Sequence, residues 1–196
     1  MTKERLAAFT DAVLAIIMTI LVLELERPET ITWTGFWELR ENFFAYSLSF
    51  FWLGAMWANL HNEWYTIKTI SRKTIWATLL MLFFSSLFPY ATSIVATNFH
   101  NSTAQSFYGA IVLLVTFSNT LSYSTLFKIN KTDPYFHERM NFRNGWVLYD
   151  IVIKIAGLTL SLTIFPEAMS YAVLITLIVF VIPNQLKHPK EKNLPM

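Results

Sequence analysis

Between Lys73 and Lys128 the chain runs for 54 residues without a single Asp, Glu, Lys or Arg. Crossing about 30 Å of hydrocarbon takes about 20 residues of helix, so this stretch is too long for one span and long enough for two with a turn. The polar cluster Asn98, His100, Asn101, Ser102 and Thr103 supplies the turn. The remaining charges divide the rest of the chain in the same way. The expected spans are 6–25, 43–60, 74–97, 104–127, 146–165 and 168–182, with Pro166 and Glu167 between the last two and Pro183 ending the last. The fold expected is an all-α integral membrane protein of six transmembrane helices. A single domain over residues 1–196 is expected, with no appended soluble domain and no internal repeat.

Composition agrees. Hydrophobic residues make up 54% of the chain and charged residues only 14%, against about a quarter charged in a soluble domain. Fifteen basic and 13 acidic residues leave a net charge of +2, which gives nucleic-acid binding no basic footprint. There is no cysteine, which removes disulfides, thiolate metal sites and cysteine nucleophiles. Lys3 and Arg5 before an apolar run are reminiscent of a signal peptide, but Asp11 interrupts the run and no small-x-small cleavage site follows. The segment is expected to stay as a helix.

Short cytoplasmic loops collect Lys and Arg. With the N-terminus inside, Lys3, Arg5, Lys68, Arg72, Lys73, Lys128, Lys131, Arg139, Arg143, Lys187, Lys190 and Lys192 share the cytoplasmic side, and only Arg27 and Arg40 face the other. Both termini are therefore expected in the cytoplasm. Trp33, Trp37, Trp64, Tyr65, Trp76, Tyr135 and Trp146 lie near span ends, where aromatic side chains anchor to the interface.

At about 100° per residue, Arg5, Phe9, Ala12, Ile16, Thr19, Leu23 and Glu26 fall on one stripe of the first helix, with Thr10 and Asp11 turned to the other side. Helix packing alone would account for such a stripe. Its sequence is more specific: Arg5, three residues, then Phe9, Thr10, Asp11 and Ala12, followed by the run Thr19 to Glu24. This resembles the opening Arg-x-x-x-Phe-Ser-Asp signature of the bacterial relatives of the lysosomal potassium channel transmembrane protein 175, with Thr10 keeping the hydroxyl of the family's serine. Trp57, Asn59 and His61 resemble the Trp-x-x-His-His pattern of its second helix, Leu60 replacing one histidine. Leu87 to Thr92 resemble its third-helix stretch around a proline, and an asparagine usual in that helix is missing near Ala77 or Thr78.

The resemblance implies a homotetramer in which the first helix of each subunit lines a central pore, and a plasma-membrane location. Carried over by position, Ile16, Thr19 and Leu23 face the pore, with Ala12 on the same stripe. Arg5, Phe9, Thr10, Asp11 and His61 form the signature and assembly network.

The residues set expectations of their own. Filters made of backbone carbonyls need a non-helical, glycine-bearing stretch, and none of the five glycines (Gly35, Gly54, Gly109, Gly145, Gly157) is in the first helix. A filter here would be built from side chains. Rings of Ile16 and Leu23 would make narrow apolar constrictions that gate by dewetting. Thr19 hydroxyls between them would suit a partly dehydrated potassium ion over the more strongly hydrated sodium. Glu24 and Glu26, with Glu29 nearby, would attract cations at the outer mouth; a solvated acidic loop is the plainer reading.

Asp11 inside a span is costly unless paired, so a scaffold role is expected, with Arg5, Thr10 and His61 as partners; a proton relay is the sharper alternative. Asp150 and Lys154, four residues apart, should meet on one helix face as a structural ion pair. His100, His137 and His188 form no ligand set with His61, so no metal site is expected, and no catalytic constellation supports an enzyme. The function expected is a potassium-permeable, weakly selective monovalent cation channel needing no cofactor, with lipid and further copies of itself as partners. A proton-coupled transporter would require inverted repeats and broken, glycine-rich helices; a non-transporting scaffold would use the stripe only as a contact.

Overall fold

The computed structural model describes residues 2–67, 69–130 and 134–183, and these form a bundle of helices. Helix α1 (Lys3–Ile20) begins where the Thr2 hydroxyl accepts from the Arg5 N–H, with Glu4 in its first turn; the cap satisfies an orphan amide and the acid complements the helix dipole. The helix then tightens into a 3-10 turn over Leu21–Glu24, and Leu25 is extended. The short α2 (Trp33–Glu38) follows, capped by Thr32, and leads into α3 (Arg40–Thr66).

Helix α4 (Arg72–Ser86) opens on a capping box between Ser71 and Thr74. It ends at Ser86, about three turns before the end of the expected span, because Pro89 has no N–H to give to the carbonyl four residues back and its ring crowds that carbonyl. The chain restarts as α5 (Phe88–Thr97), so the stretch expected as one span, 74–97, is two helices joined at Leu87. Asn101 caps α6 (Ser102–Ile129) by accepting from the Thr103 and Ala104 amides at 2.9 and 3.1 Å. Helices α7 (Pro134–Thr163) and α8 (Ala168–Thr176) complete the bundle, α8 running on into a π-helical turn over Leu177–Val181.

Among the described residues, four segments are long and apolar enough to cross a membrane: Lys3–Glu24, Arg72–Thr97, Ser102–Ile129 and Gly145–Thr163. Helix α3 has the length, but Trp, Tyr, Ser and Asn dilute its apolar run. The apolar part of the last helix, Ala168–Val179, is shorter.

Lipid tails are as apolar as leucine, so packing and interhelical hydrogen bonds do more than apolar burial to hold such a bundle together. The interior reflects this. Trp52 of α3 stacks on Phe88 of α5 with centroids 5.0 Å apart, and Phe88 meets Tyr108 of α6 edge-on at 5.6 Å. Beside them Thr92 donates to Ser49 at 2.8 Å, and Ser49 shares a 3.2 Å hydrogen bond with the buried Tyr108 hydroxyl. Hydroxyl pairs also join α4 to α6, Thr78 with Ser122 at 3.1 Å and Thr125 with Thr74 at 3.0 Å. Helices α7 and α8 approach closely at Gly157, where an added Cβ would lie 2.4 Å from the Ala172 Cβ.

The expected ion pair is present. The Lys154 ammonium, fully buried, lies 2.7 Å from Asp150 Oδ2, donates to the Thr116 hydroxyl at 3.2 Å, and sits 5.1 Å from the centre of the Trp52 ring. One charge thus ties α7 to α6 and α3.

The first helix as candidate functional site

Helix α1 packs against α3 and α4, and its terminal 3-10 turn packs against α5. Its buried residues, Leu6, Thr10, Leu14 and Ile17, are followed by Leu21 in the 3-10 turn, at the three- and four-residue intervals of a single helix face. Arg5, Phe9, Ala12, Ile16, Thr19 and Leu23 lie on the opposite face and are all exposed. The contrast is large: Leu14 and Leu21 are 0% exposed, whereas Ile16 is 59% and Leu23 78% exposed. The stripe read from spacing is therefore the face that this chain leaves uncovered. Glu26 is the exception. Helical winding stops at Glu24, so Glu26 lies beyond the turn and helical spacing does not carry it onto the stripe.

Three contacts hold the packed side of α1 along α3. At one end the Lys3 ammonium donates to the Ile67 carbonyl at 2.5 Å, placing a cation on the C-terminal end of α3, where the helix dipole favours it. One-third of the way along, the Trp57 indole N–H donates to Asp11 Oδ1 at 2.9 Å. Farther on, Met18 reaches Gly54, where a Cβ would come within 3.3 Å of the Met18 Cε.

Asp11 is half-buried, and its hydrogen bond to Trp57 gives the carboxylate the partner that an intramembrane charge requires. This corrects the expectation for Thr10. Its hydroxyl is fully buried but donates to the Leu6 carbonyl of its own helix at 2.9 Å, so it is not given to Asp11. His61 stands next to the site through its ring contact with Trp57, with centroids 5.6 Å apart. The partner missed in the sequence, Trp57, lies one helical turn before His61 but 46 residues from Asp11, and no local spacing marks that contact.

On the exposed face Thr19 donates to the Ile16 carbonyl at 2.8 Å. The proton of the hydroxyl is directed into the helix, and the oxygen keeps two lone pairs with which to accept. An exposed threonine in this state is an acceptor, with apolar Ile16 one turn below and Leu23 one turn above. Among the described residues no group of three or more His, Cys, Asp or Glu is placed to hold a metal ion.

Comparisons with known proteins agree with this part of the chain first. The family model described as "Endosomal/lysosomal potassium channel TMEM175" matches residues 5–89, which take in α1 from Arg5 onward, α3, and the Asp11–Trp57 and Met18–Gly54 contacts between them. A protein of Chryseobacterium sp. named as a potassium channel is 29% identical over 193 residues, covering 98% of this chain and all of the relative. Another, of Streptomyces collinus and also named as a potassium channel, is 25% identical over 175 residues, covering 82% of this chain and 85% of the relative. The crystal structure of a lysosomal potassium-selective channel TMEM175 homologue from Chamaesiphon minutus has the same fold, with a TM-score of 0.67 at 21% identity over 90% of this chain and 97% of that one.

Proposed function

We propose that the chain is a member of the TMEM175 family, alongside the bacterial relatives it resembles, and that it is a potassium-permeable, weakly selective monovalent cation channel. Six helices of each subunit cross the plasma membrane with both termini in the cytoplasm, and four subunits place their α1 helices around a central pore. The observation that carries this reading is the division of α1 into a packed face and an uncovered one. The uncovered face holds two bulky apolar side chains and, between them, a hydroxyl whose proton is already committed to its own helix.

In the assembled channel Ile16 and Leu23 form apolar rings that resist wetting and so set the conductance. Thr19 offers oxygen lone pairs to a cation that has shed part of its hydration, which costs potassium less than sodium. Ala12 keeps the inner end of the path wide. Glu24, at the end of the 3-10 turn, and Glu26, on the chain that follows, raise the local cation concentration at the outer mouth. Arg5, Phe9, Asp11 and His61 form the assembly network, with Trp57 as its bridge to α3. The work is passive transport of ions, with no reaction catalysed.

Purified protein in liposomes with an imposed potassium gradient should pass current without proton coupling. Ile16→Ala and Leu23→Ala, which widen the two rings without touching the packed face, should each raise conductance. Unchanged conductance in both would remove the pore assignment. Proton transport through Asp11 is the second reading, favoured by the half-buried carboxylate with a neutral indole as its partner. It requires Asp11→Asn to abolish proton-driven flux while leaving the oligomer intact.

A further inference from the structure

At the end of the bundle opposite Lys3, three separate junctions meet at one imidazole. His100 sits in the turn between α5 and α6. Its Nε2 lies 3.2 Å from Glu41 Oε1, in the first turn of α3. Its Nδ1 contacts Glu167 Oε1, at the junction of α7 and α8. Glu41 in turn pairs with Arg40 at 3.2 Å. Glu167 is 9% exposed, and its other oxygen, Oε2, has no hydrogen-bond partner. Tyr171 of α8 and Phe44 of α3 pack beneath, Phe44 also meeting Phe99 edge-on at 5.6 Å. No second cation among the described ion pairs reaches Glu167.

Carboxylates only accept hydrogen bonds, and a neutral imidazole has only one N–H to give. A neutral His100 can therefore hold Glu41 or Glu167 but not both, because its second nitrogen would turn a lone pair toward a carboxylate oxygen. Imidazolium donates from both nitrogens. We propose that His100, Glu41 and Glu167 form a proton-operated clasp that fastens the outer ends of α3, α5, α6, α7 and α8 when His100 is charged and releases one carboxylate when it is not.

The electrostatics point the same way. The hydrogen bond to Glu167, then the charge of Glu41, hold His100 above its ordinary value of 6.5. The hydrogen bond from His100 holds Glu167 below its ordinary 4.5. A raised histidine contributes stability that is complete below 6.5 and is lost as pH rises through the folded value; a depressed glutamate contributes stability present above 4.5 and lost as pH falls through its folded value. The clasp is thus closed between those limits and opens on the alkaline side. Because α3 also carries the contacts that position α1, opening loosens the helix on which the channel reading depends, and a pH effect on current rests on that reading. The titration itself does not.

The test is an NMR titration of the histidine ring protons of the full-length protein in nanodiscs, with His100 assigned by its loss in His100→Gln. The His100 midpoint is expected above 6.5 and is expected to move down in Glu167→Gln, which keeps the shape of the side chain. In parallel, the thermal midpoint of the wild type should fall between pH 6 and pH 8.5, and His100→Gln should flatten that fall. A His100 midpoint at or below 6.5, or one unmoved by Glu167→Gln, overturns the clasp, as does an unaltered pH slope in His100→Gln. Absent potassium current alongside an elevated, Glu167-dependent midpoint would sink the channel reading and uphold the clasp.

Discussion

Two carboxylates of this protein lie in helices that read as membrane spans, and they are accommodated in different ways. Asp150 has a fully buried ammonium as its partner, itself held by a hydroxyl and a tryptophan face, so the site joins three helices and leaves only part of the carboxylate exposed. Asp11 is half-buried and takes one hydrogen bond from a neutral indole. A buried ion pair is rigid because removing either member leaves the other charge stranded. An indole–carboxylate contact can be lengthened, or replaced by water, at much lower cost. Helix α7 is thus riveted to the bundle, while α1, the helix with the uncovered face, is held by separable contacts.

Lys154→Ala is the strongest way to break this comparison. It leaves Asp150 without a counter-ion and should cost about 3–5 kcal/mol, read as a lower thermal midpoint of the detergent-solubilised protein. The double change Asp150→Asn with Lys154→Met should recover most of the loss, since no charge is left behind. If Lys154→Ala is harmless, the rivet is an error. Gly157→Ala comes next. Its new methyl meets the Ala172 Cβ, which is fixed to its backbone, and overpacking of this kind costs about 1–3 kcal/mol.

The contacts of α1 should yield less. Trp57→Phe keeps the ring and removes the donor to Asp11, and interhelical hydrogen bonds in membranes average about 0.6 kcal/mol with a maximum near about 1.7. A loss as large as that of Lys154→Ala would show that α1 is as firmly fixed as α7. Gly54→Ala is the mildest. Its methyl would face the flexible end of Met18 at 3.3 Å, so the thermal midpoint should be nearly that of the wild type.

The same contrast explains what could be read in the sequence. Asp150 and Lys154 are four residues apart, and a local spacing determines a local contact. Trp57 and Asp11 are 46 residues apart, and no periodicity encodes that distance. The uncovered stripe was legible from Arg5 to Leu23 because α1 and its 3-10 turn are continuous there. Glu26 was misplaced because spacing cannot reveal where winding stops. Thr10 was misread for a related reason: a hydroxyl inside a helix has its own i−4 carbonyl within reach, and the Leu6 carbonyl receives it. The break at Leu87 was present in the sequence as Pro89, but mean hydropathy averages across a kink. The six-residue α2 is too short for any periodicity to show. The clasp at His100 needed three junctions to converge, which only the tertiary fold supplies.

The 3-10 turn over Leu21–Glu24 has a geometric effect on everything beyond Ile20. Each residue there advances about 2.0 Å and turns about 120°, against about 1.5 Å and 100° in α1. Over four residues the accumulated difference is roughly 80° of rotation and about 2 Å of extension. Leu23 therefore lies nearly above Ile20, still on the uncovered face but toward its edge. Rewinding that single turn would swing Leu23 sideways around the helix axis while Ile16 stayed where it is. The acidic end of the first helix is thus wound more tightly than the rest, with neither glycine nor proline in the turn.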